Sequence, residues 1–272
     1  MRLRDTGFAK LAALTIAVSL SGCASTTKPG AIGVTRQQLL IVPAATVERM
    51  ALVSYAQEAQ KAKANGRLIS SGEEYDRLVR IAKRLRAQAS VFRDDVSNWK
   101  WQLVLIDAPI INATCAPGGK ITFYTGILHQ LKMTDDEVAA VMGHEIAHAL
   151  REHGREKVSQ AYAQNLITST ALAAKPDSQA QVMLANQFAK YMFVLPNSRQ
   201  NESEADAIGL ELAARAGYDP HAAITLWQKM EAQSKSSAPQ FLSTHPAHAT
   251  RIQEINALLP KVIPLYEAAP KS

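Results

Sequence analysis

The chain has 272 residues, 47% apolar and 20% charged, enough for one good-sized domain or two small ones with a real core. The formal charge is +6, and Arg2, Arg4 and Lys10 against Asp5 carry part of it, so that +4 remains beyond residue 22. The remaining basic residues are scattered with no aromatic-interleaved stripe, which argues against a nucleic-acid binder.

The N-terminus reads as an export signal over residues 1–22. A basic start precedes the ten-residue apolar run Leu11 to Leu20, too short to span a bilayer but the length of a signal core. The stretch "LSGC" ending at Cys23 resembles the lipobox of bacterial lipoproteins, which are cut before the cysteine and lipidated on it. Acyl chains on Cys23 would anchor a soluble domain to a membrane. Ala24 in place of aspartate implies, by resemblance to Gram-negative sorting, the outer membrane with the domain facing the periplasm. Only one other cysteine exists, so a lipidated Cys23 leaves Cys115 without a partner in the chain. Cys115 is expected as a small buried residue.

Residues 23–44 are rich in Ser, Thr, Gly and Pro and read as a lipidated tether. Residues 45–272 read as one domain. A helical pattern runs from Val47 to Ala64 and stops at Asn65–Gly66. Ser71 and Glu74 make a capping-box pattern opening a helix to about Phe92. Trp101 to Ala108 reads as a strand, and Ala116 to Gly126 as a glycine turn entering an alternating strand. Thr134 and Glu137 form a second capping box. Further helical runs cover about 156–174, 177–192, 199–216, 220–234 and 247–259. No apolar run beyond the signal is long enough to cross a bilayer. The fold class is α+β, mostly helical with a small sheet.

"HEIAH" places His144 and His148 four apart, on one face of a helix, where they can bite a single cation. That face also carries Glu137, Val141 and Arg151. Val138, Met142, Ile146, Ala149 and Leu150 form the core side. Glu145 lies beside a cation so held, and a carboxylate there can take a proton from water that zinc has acidified. His153, about 180° from His144 on a continuous helix, is expected at the surface or in an outer layer. An open zinc site needs a third protein donor. The stretch Pro196 to Gly217 offers Glu202, on a helix stripe with Asp206, Gly209 and Ala213. Small residues there permit close helix approach, so Glu202 is the expected ligand and Asp206 the acceptor behind a zinc histidine. Glu204 and Glu211 are expected to face solvent.

"HEIAH" followed by "NESEAD" resembles the gluzincin peptidases of the CAAX prenyl protease and HtpX, over roughly residues 70–258. "NATCAPGGKITFYTGIL" and "STHPAHATRI" are similar as well. The resemblance implies a zincin-type metallopeptidase domain with one zinc per chain and a strand beside the zinc helix. The export signal and the lack of spanning helices favour the periplasmic lipoprotein branch. Fourteen residues follow Leu258, too few for the helical-repeat domain of longer relatives.

Ile121, Thr122, Phe123 and Tyr124 are expected to pair with an extended substrate. His245 is a candidate oxyanion donor or a fourth ligand closing the site. Arg251 is a candidate for transition-state charge or for pairing with Asp206 or Glu202. His129, His221 and His248 have surface roles by default. The leading expectation is a lipid-anchored zinc endopeptidase acting on unfolded or misfolded envelope proteins. The alternative is a metal-dependent holdase or assembly factor for outer-membrane proteins.

Overall fold

The computed structural model describes residues 23–168, 190, 194–234, 239–246 and 250–271. The expected export signal, all but residue 190 of the helical run at 177–192, the end of the run at 156–174, and residues 247–249 with His248 lie outside them. Helices α1 (Ala44–Ala64) and α2 (Glu73–Gln88) flank the first strand of a small sheet. Its strands are β3 (Leu68–Ile69), β4 (Gln102–Ile106), β5 (Ala113–Ala116) and β6 (Lys120–Tyr124); a separate pair, β1 (Cys23–Ala24) and β2 (Gln38–Leu39), lies in the N-terminal arm. After the sheet come α3 (Thr125–Gln130), α4 (Asp135–Leu150), α5 (His153–Thr168), α6 (Arg199–Arg215), α7 (Ala222–Ser234), α8 (Gln240–Thr244) and α9 (Arg251–Ala268). The α+β class is as expected. No described helix is long and apolar enough to cross a membrane.

Helix α4 carries His144 and His148 through the middle of the core. It starts on the expected capping box: Thr134 Oγ1 accepts from Glu137 N at 3.3 Å, and Glu137 returns a carboxylate to Thr134 N at 2.9 Å. Three acidic residues in the first turn suit the positive end of the helix dipole. From Glu137 to Leu150 every residue but Ala140 is buried, so both faces of this helix are packed. The other expected capping box does not form. Helix α2 starts after Gly72, and no side chain caps it.

Helices α4 and α6 touch backbone to backbone where Gly143 faces Gly209. A Cβ on Gly143 would lie 2.9 Å from the Gly209 carbonyl oxygen, and one on Gly209 would lie 2.7 Å from His144 N. Backbone cannot swing aside as a side chain can. We expect Gly209→Ala to destabilise the fold by about 1–3 kcal/mol, the usual cost of overpacking. A urea midpoint equal to wild type would contradict this.

The sheet order is β3-β4-β6-β5, with β4 and β6 parallel and the other pairs antiparallel. This corrects the expectation for Ile121, Thr122, Phe123 and Tyr124. Their strand, β6, is bonded to β4 on one side and to β5 on the other, so it has no edge left for a substrate. The edges belong to β3 and to β5, the latter hidden in sequence by its brevity.

The N-terminal arm, read from composition as a tether, lies against the helices. Lys28 N donates to Phe92 O at 2.8 Å. The Gln38 side chain is buried and donates to Arg151 O at 2.7 Å. Arg151 reaches Ser25 Oγ at 3.1 Å and Thr27 Oγ1 at 3.3 Å. Arm backbone also covers the face of α6 expected to meet solvent. Glu211 accepts from Ala31 N at 2.9 Å and Ile32 N at 3.1 Å, and both Glu211 and Glu204 are buried. Helical periodicity placed the two glutamates correctly on one face. It could not foresee that distant chain supplies their donors.

Candidate metal centre and active site

Helix α4 presents His144 and His148 one turn apart, and α6 presents Glu202 against them. His144 Nε2 and His148 Nε2 are 3.1 Å apart. Glu202 Oε2 is 3.5 Å from His144 Nε2, and its Oε1 is 3.3 Å from His148 Nε2. Four donors at zinc distances of about 2.0–2.1 Å in a tetrahedron stand about 3.3 Å from one another. The observed spacings fit that figure. Two facing imidazole lone pairs and a buried carboxylate also need a cation or a proton among them. The donor set therefore fits zinc.

His245 stands at the fourth corner. It follows α8, and its ring stacks on Phe241 with centroids 4.3 Å apart. Its Nδ1 is 3.2 Å from His144 Nε2 and 3.0 Å from Glu202 Oε1, and His144, His148, Glu202 and His245 form one buried metal-competent group. Glu145 is buried beside them. Its Oε1 lies 3.4 Å from His245 Nε2 but makes no hydrogen bond. A cleft opens here, lined by Thr114 and Cys115 of β5 and by Glu145, His148, Lys157 and His245.

Behind the donors, Asp206 Oδ1 is 3.0 Å from His144 Nδ1. Arg251 donates to Asp206 Oδ1 from Nη2 at 2.7 Å, has Nε 2.7 Å from Oδ2 without a directed hydrogen bond, and lies over the Trp227 ring at 3.3 Å. Its Nη1 is 3.0 Å from Glu202 Oε2, close enough to attract, although neither atom has a well-directed hydrogen bond. Arg251 thus sits in the pairing position expected of it. Asn197 donates to Glu202 Oε1 at 2.8 Å and went unnoticed in sequence, as did Lys157, whose ammonium burial pushes down to about 8.

A model of peptidase family M48 matches residues 74–259. The chain belongs to peptidase family M48. It is 39% identical over 184 residues to the mitochondrial metalloendopeptidase OMA1 of Schizosaccharomyces pombe, covering 67% of this chain and 52% of that one. It is 27% identical over 249 residues to the metalloprotease LoiP of Escherichia coli, covering 91% of this chain and 94% of LoiP. Similarity to the beta-barrel assembly-enhancing protease of Escherichia coli is 28% over 172 residues, 58% of this chain and 35% of that one. The chain thus spans about half or less of the length of the OMA1 proteins it matches.

The M48 centre is electrostatically uneven. Burial alone would lower His144, but hydrogen bonds to the Asp206 and Glu202 carboxylates raise it to about 9. Burial holds His148 well below its ordinary value. Burial would raise Glu202, yet His245, His144 and His148 draw it well down. Glu145 is pushed up, chiefly by burial. Cys115 is buried and free, and burial raises its thiol, so it is inert rather than nucleophilic.

A zinc-binding imidazole must be neutral. With a His144 value of about 9, the metal-free M48 protein holds a proton there at pH 7 that zinc must displace. Zinc affinity should therefore fall about tenfold for each pH unit below about 9, with close to one proton released per zinc at pH 7. Calorimetry of the apoprotein in buffers of different ionisation enthalpy measures this release. Identical heats in all buffers would contradict it.

Of its two expected positions, surface or outer layer, His153 takes the outer layer. It is buried and contacts His148. The helix ends at Leu150, and Glu152, at φ 51, turns the chain before α5 starts at His153. That break, rather than one continuous helix, brings its ring to His148. His129 and His221 are exposed and pair with Glu74 and Asp219.

Proposed function

We propose that the chain is a zinc-dependent endopeptidase that cuts extended segments of unfolded or misfolded cell-envelope proteins. In this reading acyl chains on Cys23 hold it to the outer membrane on the periplasmic face. The observation that carries the hydrolytic part is the 3.1–3.5 Å spacing of His144, His148 and Glu202, with Glu145 buried alongside and its Oε1 without a hydrogen bond. LoiP, similar over nearly its whole length, is named a metalloprotease.

His144, His148 and Glu202 would hold the metal. Bound zinc would polarise the scissile carbonyl and lower the pKa of an attacking water to about 7. Glu145 takes the proton from that water and passes it to the leaving amine. Asp206 keeps the His144 ring turned toward the metal through Nδ1. Arg251 fixes Asp206 and offsets the Glu202 charge. The edge of β5 that no described strand covers would align the substrate as an added strand, which recognises backbone and ignores most side chains. Pairing of that kind requires an unfolded segment. The test is cleavage of an unfolded protein against its folded form, with and without a chelator. Equal cleavage of both forms, or cleavage indifferent to the chelator, would refute the proposal.

A site with four protein donors is closed to water, whereas a catalytic one keeps a position open. His245 must therefore leave for catalysis to occur. We expect His245→Ala to raise the initial cleavage rate by vacating the fourth corner. A fall of about 10²–10³-fold would instead make His245 an oxyanion donor.

The same closed geometry favours the second reading, a metal-dependent holdase or assembly factor that grips unfolded outer-membrane proteins and seldom cuts. A relative's name, beta-barrel assembly-enhancing protease, joins both activities. Substitution of Glu145 separates the two.

A further inference from the structure

His153 lies outside the donor set and yet touches it. Its Nδ1 is 2.8 Å from His148 Nδ1, and its Nε2 is 3.1 Å from Glu204 Oε2. All three side chains are buried. Only one arrangement of hydrogens lets His148 turn a lone pair on Nε2 toward Glu202 and His144. The His148 hydrogen then sits on Nδ1 and is donated to His153. His153 consequently carries its own hydrogen on Nε2 and donates it to Glu204.

Glu204 is itself held from two directions. Arg151 donates to its Oε2 from Nε at 3.0 Å and from Nη2 at 2.9 Å. Arg36, on the N-terminal arm, bonds Oε1 through Nε and Oε2 through Nη2 at 3.2 Å. Arg36 also reaches Glu156 Oε2 at 2.9 Å and Asn201 Oδ1 at 3.0 Å. Oε1 of Glu204 has Arg36 as its donor, while Oε2 serves Arg151, His153 and Arg36 together. Without Arg36, Arg151 is free to draw the carboxylate round to share both oxygens, and His153 loses its acceptor.

We propose that Glu204 and His153 form a positioning pair for His148, and that Arg36 sets this pair, so that full metal affinity requires the arm to be docked. The two histidines of the centre are thereby braced differently. His144 leans on Asp206 directly, inside the domain. His148 leans through a second imidazole on a carboxylate shared with the arm. Partners behind a metal ligand fix its ring and its tautomer, and their loss commonly weakens metal binding by about 10- to 100-fold. The brace rests on the reading of His148 as a metal donor.

The experiment measures zinc affinity by chelator competition on the full chain, with thermal melts to confirm folding. His153→Ala should bind zinc about 10- to 100-fold more weakly. His153→Gln should recover most of the loss, because an amide both accepts and donates. Arg36→Ala should weaken binding in the same direction by a smaller factor. Lys28→Ala, which breaks an exposed arm pair with Asp94, should leave affinity unchanged. Folded His153→Ala with wild-type affinity overturns the brace, and Arg36→Ala with wild-type affinity overturns the role of the arm. Should His153→Ala fail to fold, His153→Gln and Arg36→Ala decide. His148→Ala separates the levels: wild-type affinity there removes the ligand reading itself, whereas a deficient His148→Ala beside a normal His153→Ala removes only the brace.

Discussion

Glu145→Gln is expected to keep its zinc and lose peptide cleavage by about 10²–10⁴-fold, the usual contribution of a positioned general base. The amide matches the carboxylate in size, so helix α4 and its two histidines stay in place. It cannot accept the proton that hydrolysis must move. In wild type, Glu145 is buried, its Oε1 lacks a hydrogen bond, and burial raises its pKa, all of which suit a group that takes a proton and returns it. The measurement is the initial rate on an unfolded protein, with metal content determined on the same sample. Undiminished cleavage would eliminate the hydrolytic mechanism. A variant that keeps its biological activity, beside a wild type that cleaves nothing, would favour the holdase.

Glu202→Ala is expected to lose stoichiometric zinc. A direct donor is worth more than the about 10- to 100-fold that a residue behind a ligand contributes. The loss is also structural. Glu202 is buried amid His144, His148, His245 and Arg251, and it places a negative charge 3.0 Å from the Arg251 Nη1 atom. Removing one partner of a buried ion pair costs about 3–5 kcal/mol, so the variant should also unfold at lower denaturant. Zinc stoichiometry after dialysis and a urea titration measure the two effects. Full zinc retention would move the third donor to His245. Glu204 is the weaker substitute, because its oxygens are occupied by Arg36, Arg151 and His153.

Much of this was legible in sequence where the information is local. The spacing of His144 and His148, the Thr134–Glu137 cap and the small residues at Gly209 and Ala213 each follow from helix geometry, and the structure has the same helix, cap and close approach. Glu202 was separated from Glu204 by helix face alone, and the structure brings Glu202 to the histidines. What local pattern could not carry was pairing over distance. Strand β5 has four residues, too few to announce itself, and its pairing takes the edge that β6 was expected to offer. Glu204 and Glu211 looked like solvent-facing charges because donors to them lie more than a hundred residues away in the arm. Low-complexity composition suggested slack chain there, whereas scattered polar groups such as Gln38 and Arg36 fasten it.

That fastening changes what a lipid anchor would accomplish. A flexible linker of the 22 residues from 23 to 44 would let the domain wander by roughly 25 Å from its attachment point. Backbone pairing of Cys23 with Leu39 instead makes the attachment point part of the folded body. With Cys23 acylated, the mouth of the cleft would keep a set distance from the attachment point, as a blade bolted to a bench. Chains trailing near the bilayer surface would reach it, and distant ones would pass out of range.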